Sequence, residues 1–393
     1  MKCIPRFGSF TQCFPIISLW DAFKAVFTVL FAVMWMLALI DKTYRSQTQL
    51  PNIFEENTSI VSRYCTLNKA TLNLKTVQID NPPSYMDIWK QNQHLQLGGI
   101  NSPNCTPFQS VALIVPYRNR EEHLKLLLNR LHPMLKLQKL YYQIFVIEQV
   151  EPDNFNRGML MNIGAVEALK ISSDFDCFIF HDVDLLPEHD MNMYMCDEDL
   201  RGLAVAIDEN RYYNTFENYA GGVAGISKKN FFAINGFPNL YWGWGNEDDD
   251  FSARTRMLGL KISRPPLSIG RYKMIRHVKS TRPLSNYNMF QGFRGRQMID
   301  GLSSLQQDSY QVVSIAPKSR ANTNSSNPID YLFTQIKVNL NIKIAALEFT
   351  PIAFATKEEL EQFHDSQSNN RPIEWPFSTF ESIRWFLHFY GWL

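Results

Sequence analysis

The absences in this sequence narrow it first. Its 39 Lys and Arg stand against 38 Asp and Glu, a formal net charge of +1, so no basic excess draws it to nucleic acid. Cysteine is sparse, at Cys3, Cys13, Cys65, Cys105, Cys177 and Cys196, and no two stand at zinc-site spacing. Neither G-x-G-x-x-G nor G-x-x-x-x-G-K occurs where apolar runs meet helical ones, so a nucleotide bound here is not held by a glycine-rich loop. Internal repeats are absent, and no small-residue cleavage site follows the first apolar run.

That run is residues 25–40, which carry no charge. Ala22 and Phe23 lengthen it, and Lys24 can snorkel toward headgroups. Residues 23–40 are therefore expected to be a retained signal-anchor and 1–22 a short cytoplasmic tail. Basic residues flank both sides, so only the shortness of the amino-terminal flank favours a type II orientation with the bulk of the chain lumenal. Two cysteines precede the anchor and four follow it, an even number that suits two disulfides in an oxidising lumen. Sequons at Asn57, Asn104 and Asn324 accord with that location. Residues 41–104 are polar, with Pro82-Pro83 and Gly98-Gly99, and read as a stem merging into a domain edge.

From Val111 onward apolar runs alternate with helical periodicity. Residues 111–115, 142–147 and 177–180 read as buried strands; residues 121–135, with Leu124, Leu127, Leu128, Leu131 and Leu135, and residues 159–169 read as helices. Asn162 and Gly164 are weak points in the second helix, and residues 203–207 read as a fourth strand. The βαβαβ order predicts an α/β domain with a mostly parallel sheet flanked by helices.

The chemistry gathers where these strands end, the edge at which open α/β sheets bind ligands. The third strand runs into Asp182-Val183-Asp184, whose carboxylates suit Mg²⁺ or Mn²⁺. The first runs into Pro116-Tyr117-Arg118-Asn119-Arg120, where arginines can pair with phosphates and Tyr117 can stack on a base. Phe155-Asn156-Arg157 repeats the pairing of aromatic and arginine after the second strand. Farther on, Trp242-Gly243-Trp244-Gly245 suits a hinged sugar-stacking loop rather than core packing. It precedes Asn246 and four carboxylates, Glu247 to Asp250; one of them can serve as general base, and a helix amino terminus also favours such charges. Met274-Ile275-Arg276-His277 completes the set.

Taken in order, with Gly221-Gly222-Val223 and Asn235-Gly236-Phe237-Pro238, these motifs resemble the β-1,4-galactosyltransferase family over roughly residues 105–337. The resemblance implies a GT-A fold over residues 105–342, with a UDP-sugar donor and Mn²⁺ as cofactor. It also implies a Golgi type II membrane enzyme acting on a glycan acceptor of glycoproteins or glycolipids, and leaves a homodimer open. Pro116, Tyr117, Arg118, Arg120, Phe155 and Arg157 would hold uridine and diphosphate, lined by Asp182 and Val183. Asp184, Met274 and His277 would ligate the metal, Met274 on the family pattern alone. Asp248 would be the base, Glu247 would hold the sugar, and Trp244 would cap donor and acceptor. A segment from about residue 275 to 296 would fold over the metal and help form the acceptor site. The resemblance pairs Cys177 with Cys196 and Cys65 with Cys105.

Bulky Tyr219 matches the galactose-donor pattern, so the expected reaction is inverting β-1,4 transfer of galactose from UDP-galactose to a terminal sugar such as N-acetylglucosamine. Transfer from UDP-GalNAc is the alternative, followed by an inactive sugar-binding relative. A two-metal phosphoesterase is the third reading, and it gives Trp244 no role. Ala220 departs from the family's usual aromatic and Asn246 from its usual glycine; Tyr287 and Phe290 are candidates for an apolar acceptor pocket. Residues 343–393 form an aromatic-rich extension outside the resemblance, read as a docking or unfixed tail rather than a membrane-facing helix.

Overall fold

The computed structural model describes residues 2–4, 12–14, 64–150, 153–213, 219–277, 283–305, 308–317 and 325–341. The anchor at 23–40, stem residues 41–63, the sequons' Asn57 and Asn324, and the extension 343–393 lie outside these residues. Among the described residues no helix is long and apolar enough to cross a membrane. Lys2–Ile4 and Gln12–Phe14 form a short antiparallel pair.

Three strands carry the domain: β1 (Ser110–Tyr117), β2 (Tyr141–Gln149) and β3 (Cys177–His181). Their side chains are almost wholly buried, as continuous apolar runs must be when helices cover both faces of a sheet. Two helices make the crossovers, α2 (Glu121–Leu137), which follows a short α1 (Tyr85–Gln91), and α3 (Arg157–Ile171). Alternate residues of β1 divide between two cores: Val111, Leu113 and Val115 pack with the α2 leucines, Ala112 and Ile114 with α3.

The remaining strands are β4 (Leu185–Pro187), β5 (Leu200–Gly202), β6 (Ala206–Ile207), β7 (Val223–Ser227), β8 (Ile262–Ser263), β9 (Arg271–Met274), β10 (Tyr310–Ala316) and β11 (Thr334–Leu340). The main sheet has eight strands in the order β8-β5-β7-β3-β1-β2-β11-β10. Its centre, β3-β1-β2-β11, is parallel as the βαβαβ pattern requires. The flanks are mixed, because β7 runs antiparallel to both neighbours and β10 antiparallel to β11. Of the fourth strand expected at 203–207 only Ala206–Ile207 form one: β5 ends at Gly202 in the main sheet, residues 203–205 belong to no strand, and β6 joins a small sheet in the order β4-β9-β6. A continuous apolar run of five cannot signal that the chain passes between sheets within it.

The two weak points of α3 turn out to be its docking points. A Cβ on Gly164 would lie 2.4 Å from the Ile114 side chain and 2.8 Å from that of Ile147, so only glycine lets the helix lie this close to the sheet. Asn162 is fully buried and bonds the loop between α4 (Lys228–Ala233) and the tryptophan segment, donating to Phe237 O at 2.7 Å and accepting from Phe237 N at 2.9 Å. Residues 64–104 pack onto the domain through fully buried Ile88 and the Cys65–Cys105 disulfide. Cys177–Cys196 is the second disulfide, as the family pairing implies.

His132, on α2, is fully buried with Nδ1 2.9 Å from the Tyr142 hydroxyl, and burial pushes its pKa down to about 3. The unfolded imidazole titrates near 6.5, so its stability contribution is complete above that pH and is lost as pH falls toward 3. At pH 5 the loss is about 2 kcal/mol. Denaturant unfolding at pH 7 and pH 5 checks this, with a smaller pH difference expected for His132→Gln.

Candidate active site

The parallel strands deliver their carboxyl ends to one edge, and most of the singled-out residues lie there. Pro116 and Tyr117 close β1, with Tyr117 buried against the α2 core. Asn119 takes φ +50°, a left-handed turn that asparagine tolerates, and leads the chain from Arg118 to Arg120 at the start of α2. The Arg118 guanidinium lies 5.4 Å from the Phe155 ring centroid and donates to Asp153 O at 2.5 Å. The two aromatic–arginine pairs recognised in the sequence thus meet in space.

Arg157, the first residue of α3, is the hub of the cluster. Its Nε lies 2.6 Å from Asp182 and its Nη1 3.2 Å from Glu247. Burial pushes Asp182 up to about 6, with Arg157 opposing and Asp184 adding. Burial and the neighbouring Asp248 push Glu247 up to about 8 against Arg157. The second Glu247 oxygen, Oε2, is buried and has no hydrogen-bond partner among the described residues. A buried acid with an unmatched oxygen at a strand-end edge has the chemistry to bond a polar ligand.

The acidic run opens α5 (Glu247–Met257), and the structure gives its members different tasks. Asp250 is structural: fully buried, it lies 2.6 Å from Arg254 and accepts from Tyr241 at 2.9 Å. Asp249 accepts from Asn246 at 3.2 Å. Asp248 accepts from the Tyr219 hydroxyl and, at 3.0 Å, from the Asp249 amide. Asn246 itself sits at φ +77° before the helix, a left-handed position that explains how asparagine can stand where the family usually has glycine.

Asp184 and His277 are brought together, Oδ2 to Nε2 2.8 Å. Burial, the largest single influence, works to raise the Asp184 carboxyl, but the His277 hydrogen bond and charge together with a backbone hydrogen bond and His123 outweigh it, leaving it below its ordinary value. Met274 ends β9, in register with Leu185 beside Asp184, and its amide donates to Asp208 at 2.7 Å. The Ile275 amide donates to Asp184 O at 2.8 Å, so the turn after β3 and the one after β9 are fastened to each other.

This donor set fits a divalent ion. Ligands in adjacent octahedral positions about 2.1 Å from an ion stand about 3 Å apart, close to the separation of Asp184 and His277. Arg120 Nη2 lies 3.1 Å from His277 Nδ1, so Nδ1 accepts and Nε2 donates to Asp184. Ligation through Nε2 calls for the other tautomer, with Arg120 turned from Nδ1. Among the described residues no group of three or more His, Cys, Asp and Glu could hold a metal ion.

The tryptophan segment divides in two. Trp242 packs against the α3 core, contrary to the reading that both indoles avoid packing, whereas Trp244 is 49% exposed. Gly243 and Gly245 flank Trp244 at φ +78° and +101°. Both carbonyls about it, of Trp242 and Gly245, accept from buried Asn286 at 3.2 and 3.0 Å. Asn286 belongs to α6 (Leu284–Gln291), which α7 (Phe293–Arg296) follows, so one side chain joins the tryptophan loop to the expected acceptor segment. Sequence reasoning missed this link; one asparagine in a weakly patterned helix gives no signal. It also missed the anchoring of α7, where Arg296 meets Asp300 at 2.7 Å, although the Asp250–Arg254 pairing at i,i+4 was readable. Of the two acceptor-pocket candidates, Phe290 stacks on Phe293 and Tyr287 is half exposed. Residues 278–282 lie outside the described residues.

Comparison with known sequences gives the lineage. A sequence model for the N-terminal region of glycosyl transferase group 7 matches residues 65–197, and one described as the N-terminal domain of galactosyltransferase matches residues 201–278. The chain belongs to the β-1,4-galactosyltransferase family. It is 43% identical to β-1,4-galactosyltransferase 2 of Cricetulus griseus over 244 residues, covering 61% of this chain and 65% of that relative. With β-1,4-galactosyltransferase 3 of Rattus norvegicus it shares 47% over 204 residues, 51% of each chain. The chain thus spans less than two thirds of the length of these curated relatives. Among solved structures it is similar to the catalytic domain of Drosophila β1,4-galactosyltransferase 7 in complex with xylobiose, at 28% identity and a TM-score of 0.49, covering 59% of this chain and 94% of that one.

Proposed function

We propose that this chain is an inverting, Mn²⁺-dependent glycosyltransferase of GT-A type that transfers galactose from UDP-galactose to a terminal sugar in β-1,4 linkage. N-acetylglucosamine on glycoprotein or glycolipid glycans is the expected acceptor. The observation that carries the reading is the convergence of five side chains at a sheet edge, Arg157 bonded to Asp182 and Glu247, and Tyr219 bonded to Asp248, the residue after Glu247. Family membership supplies the reaction class. With residues 23–40 as anchor, the domain would face the Golgi lumen, where its two disulfides would persist.

In this reading Arg118 and Arg120 neutralise the diphosphate, while Phe155, Arg157, Asp182 and Val183 hold the nucleotide. Asp184, Met274 and His277 would hold Mn²⁺, which when bound supplies positive charge against the departing UDP. Glu247 Oε2 meets a hydroxyl of the sugar. Asp248 takes the proton from the acceptor hydroxyl as that oxygen attacks the anomeric carbon and the bond to UDP breaks on the opposite face, turning α into β. Trp244 closes over donor and acceptor, excluding the water that would hydrolyse the donor.

Incubating the protein with UDP-galactose or UDP-GalNAc, Mn²⁺ and acceptors ending in N-acetylglucosamine tests this. Transfer of galactose is expected; no transfer from either donor across a broad acceptor panel overturns it. Donor choice rests on Tyr219, whose ring leaves little room for a 2-N-acetyl group. Tyr219→Leu is expected to raise the kcat/KM ratio of UDP-GalNAc to UDP-galactose by about 10-fold or more, and an unmoved ratio removes the steric argument.

A further inference from the structure

We propose that the Tyr219 hydroxyl is a positioning group for Asp248, separate from the role of its ring in donor choice. The inference rests on the reading of Asp248 as the base. The Tyr219 hydroxyl donates to Asp248 Oδ2, while Oδ1 accepts from the Asp249 amide of the same helical turn. Arg157 is committed to Asp182 and Glu247, so among the side chains of the cluster the donor to Asp248 is Tyr219.

Three contacts hold Tyr219, the first of them to α5. The amide of the next residue, Ala220, donates to Ser252 Oγ at 3.1 Å, and Ser252 lies one turn beyond Asp248 on that helix. Arg264 donates to the Tyr219 carbonyl. The ring lies over Gly221: a Cβ at that position would fall 1.9 Å from the hydroxyl oxygen and 2.2 Å from Cζ. Here glycine serves space and not backbone freedom. Burial and the Asp248 charge hold the phenol well above its ordinary pKa of 10, so it remains a donor at neutral pH.

A base must present one lone pair to the incoming hydroxyl without rotating away. The phenol supplies that restraint, tying the residue that limits the sugar to the residue that removes the proton. The departure at Ala220 is compatible with this, because the contact used there is the backbone amide.

The test is kinetic, on the full chain, with UDP-galactose, UDP-GalNAc and free N-acetylglucosamine. Tyr219→Phe keeps the ring and removes the hydroxyl. It is expected to lower kcat about 10- to 100-fold, to leave KM for donor and acceptor within about twofold, and to leave the donor ratio unchanged. Gly221→Ala, which displaces the ring, is expected to lower kcat while the hydroxyl is retained. Wild-type kcat in Tyr219→Phe, with Asp248→Asn inactive, overturns the positioning role and leaves the base assignment standing. A Tyr219→Phe defect confined to KM overturns it equally. Turnover retained in Asp248→Asn overturns the base assignment, and this inference with it.

Discussion

Replacing Asp248 by Asn is expected to lower kcat by about 10²- to 10⁴-fold, the range a general base contributes. The amide keeps the size and the hydrogen-bonding reach of the carboxylate but cannot take a proton. Its oxygen can still accept from the Asp249 amide, and its NH2 can donate to the Tyr219 hydroxyl oxygen in place of the bond the carboxylate accepts. The fold should therefore survive, and the loss should fall on kcat with KM for the donor little changed. Initial rates at saturating donor, together with a thermal midpoint matching the parent protein, separate this outcome from unfolding. Parent-like kcat would remove Asp248 from the chemistry and shift attention to Glu247, whose free oxygen is the next candidate.

Asp184→Ala is expected to cost about 10³-fold or more in metal-dependent turnover, the several kcal/mol that a cation contributes to charge stabilisation. Asp184 and His277 arrive on separate turns, after β3 and after β9, and are fastened by the Ile275–Asp184 backbone bond so that their side chains meet. Without the carboxylate, a neutral imidazole and a thioether are left, neither of which suits a hard ion. Titrating activity with Mn²⁺ should show a large rise in the half-saturating concentration, and calorimetric titration with Mn²⁺ and UDP should show the same weakening. Chelation by EDTA should silence the parent protein. Unchanged activity in the variant would refute the metal assignment.

The central architecture was legible because its signals are local. β1, β2 and β3 are continuous apolar runs, α2 carries leucines at helical spacing, and the βαβαβ order leaves one handed arrangement. Where pairing partners are distant, the signal vanished. Residues 203–207 form one continuous apolar run, yet the chain leaves the main sheet after Gly202 and resumes at Ala206 in the small one. Trp242 and Trp244 are each followed by glycine, and only tertiary packing decides that the first is partly covered and the second is half open.

The site divides in the same way. The motifs bearing arginines and carboxylates could be read from the chain, since strand ends in an α/β sheet fall on one edge whatever the details. Which partner each carboxylate takes could not. Glu247, Asp248, Asp249 and Asp250 are consecutive and chemically alike, and the helix amino terminus favours all of them. At 3.6 residues per turn they point in four directions: toward Arg157, Tyr219, Asn246 and the buried Arg254. The sequence by itself determined the parallel core, the polar strand ends and the residue types that gather there, because these follow from spacing along the chain. Only the tertiary structure decided the pairing of Asp184 with His277, the bonding of the tryptophan loop to Asn286, and the contact of Tyr219 with Asp248. Each of these joins residues at least 29 positions apart, and no local pattern encodes such a distance.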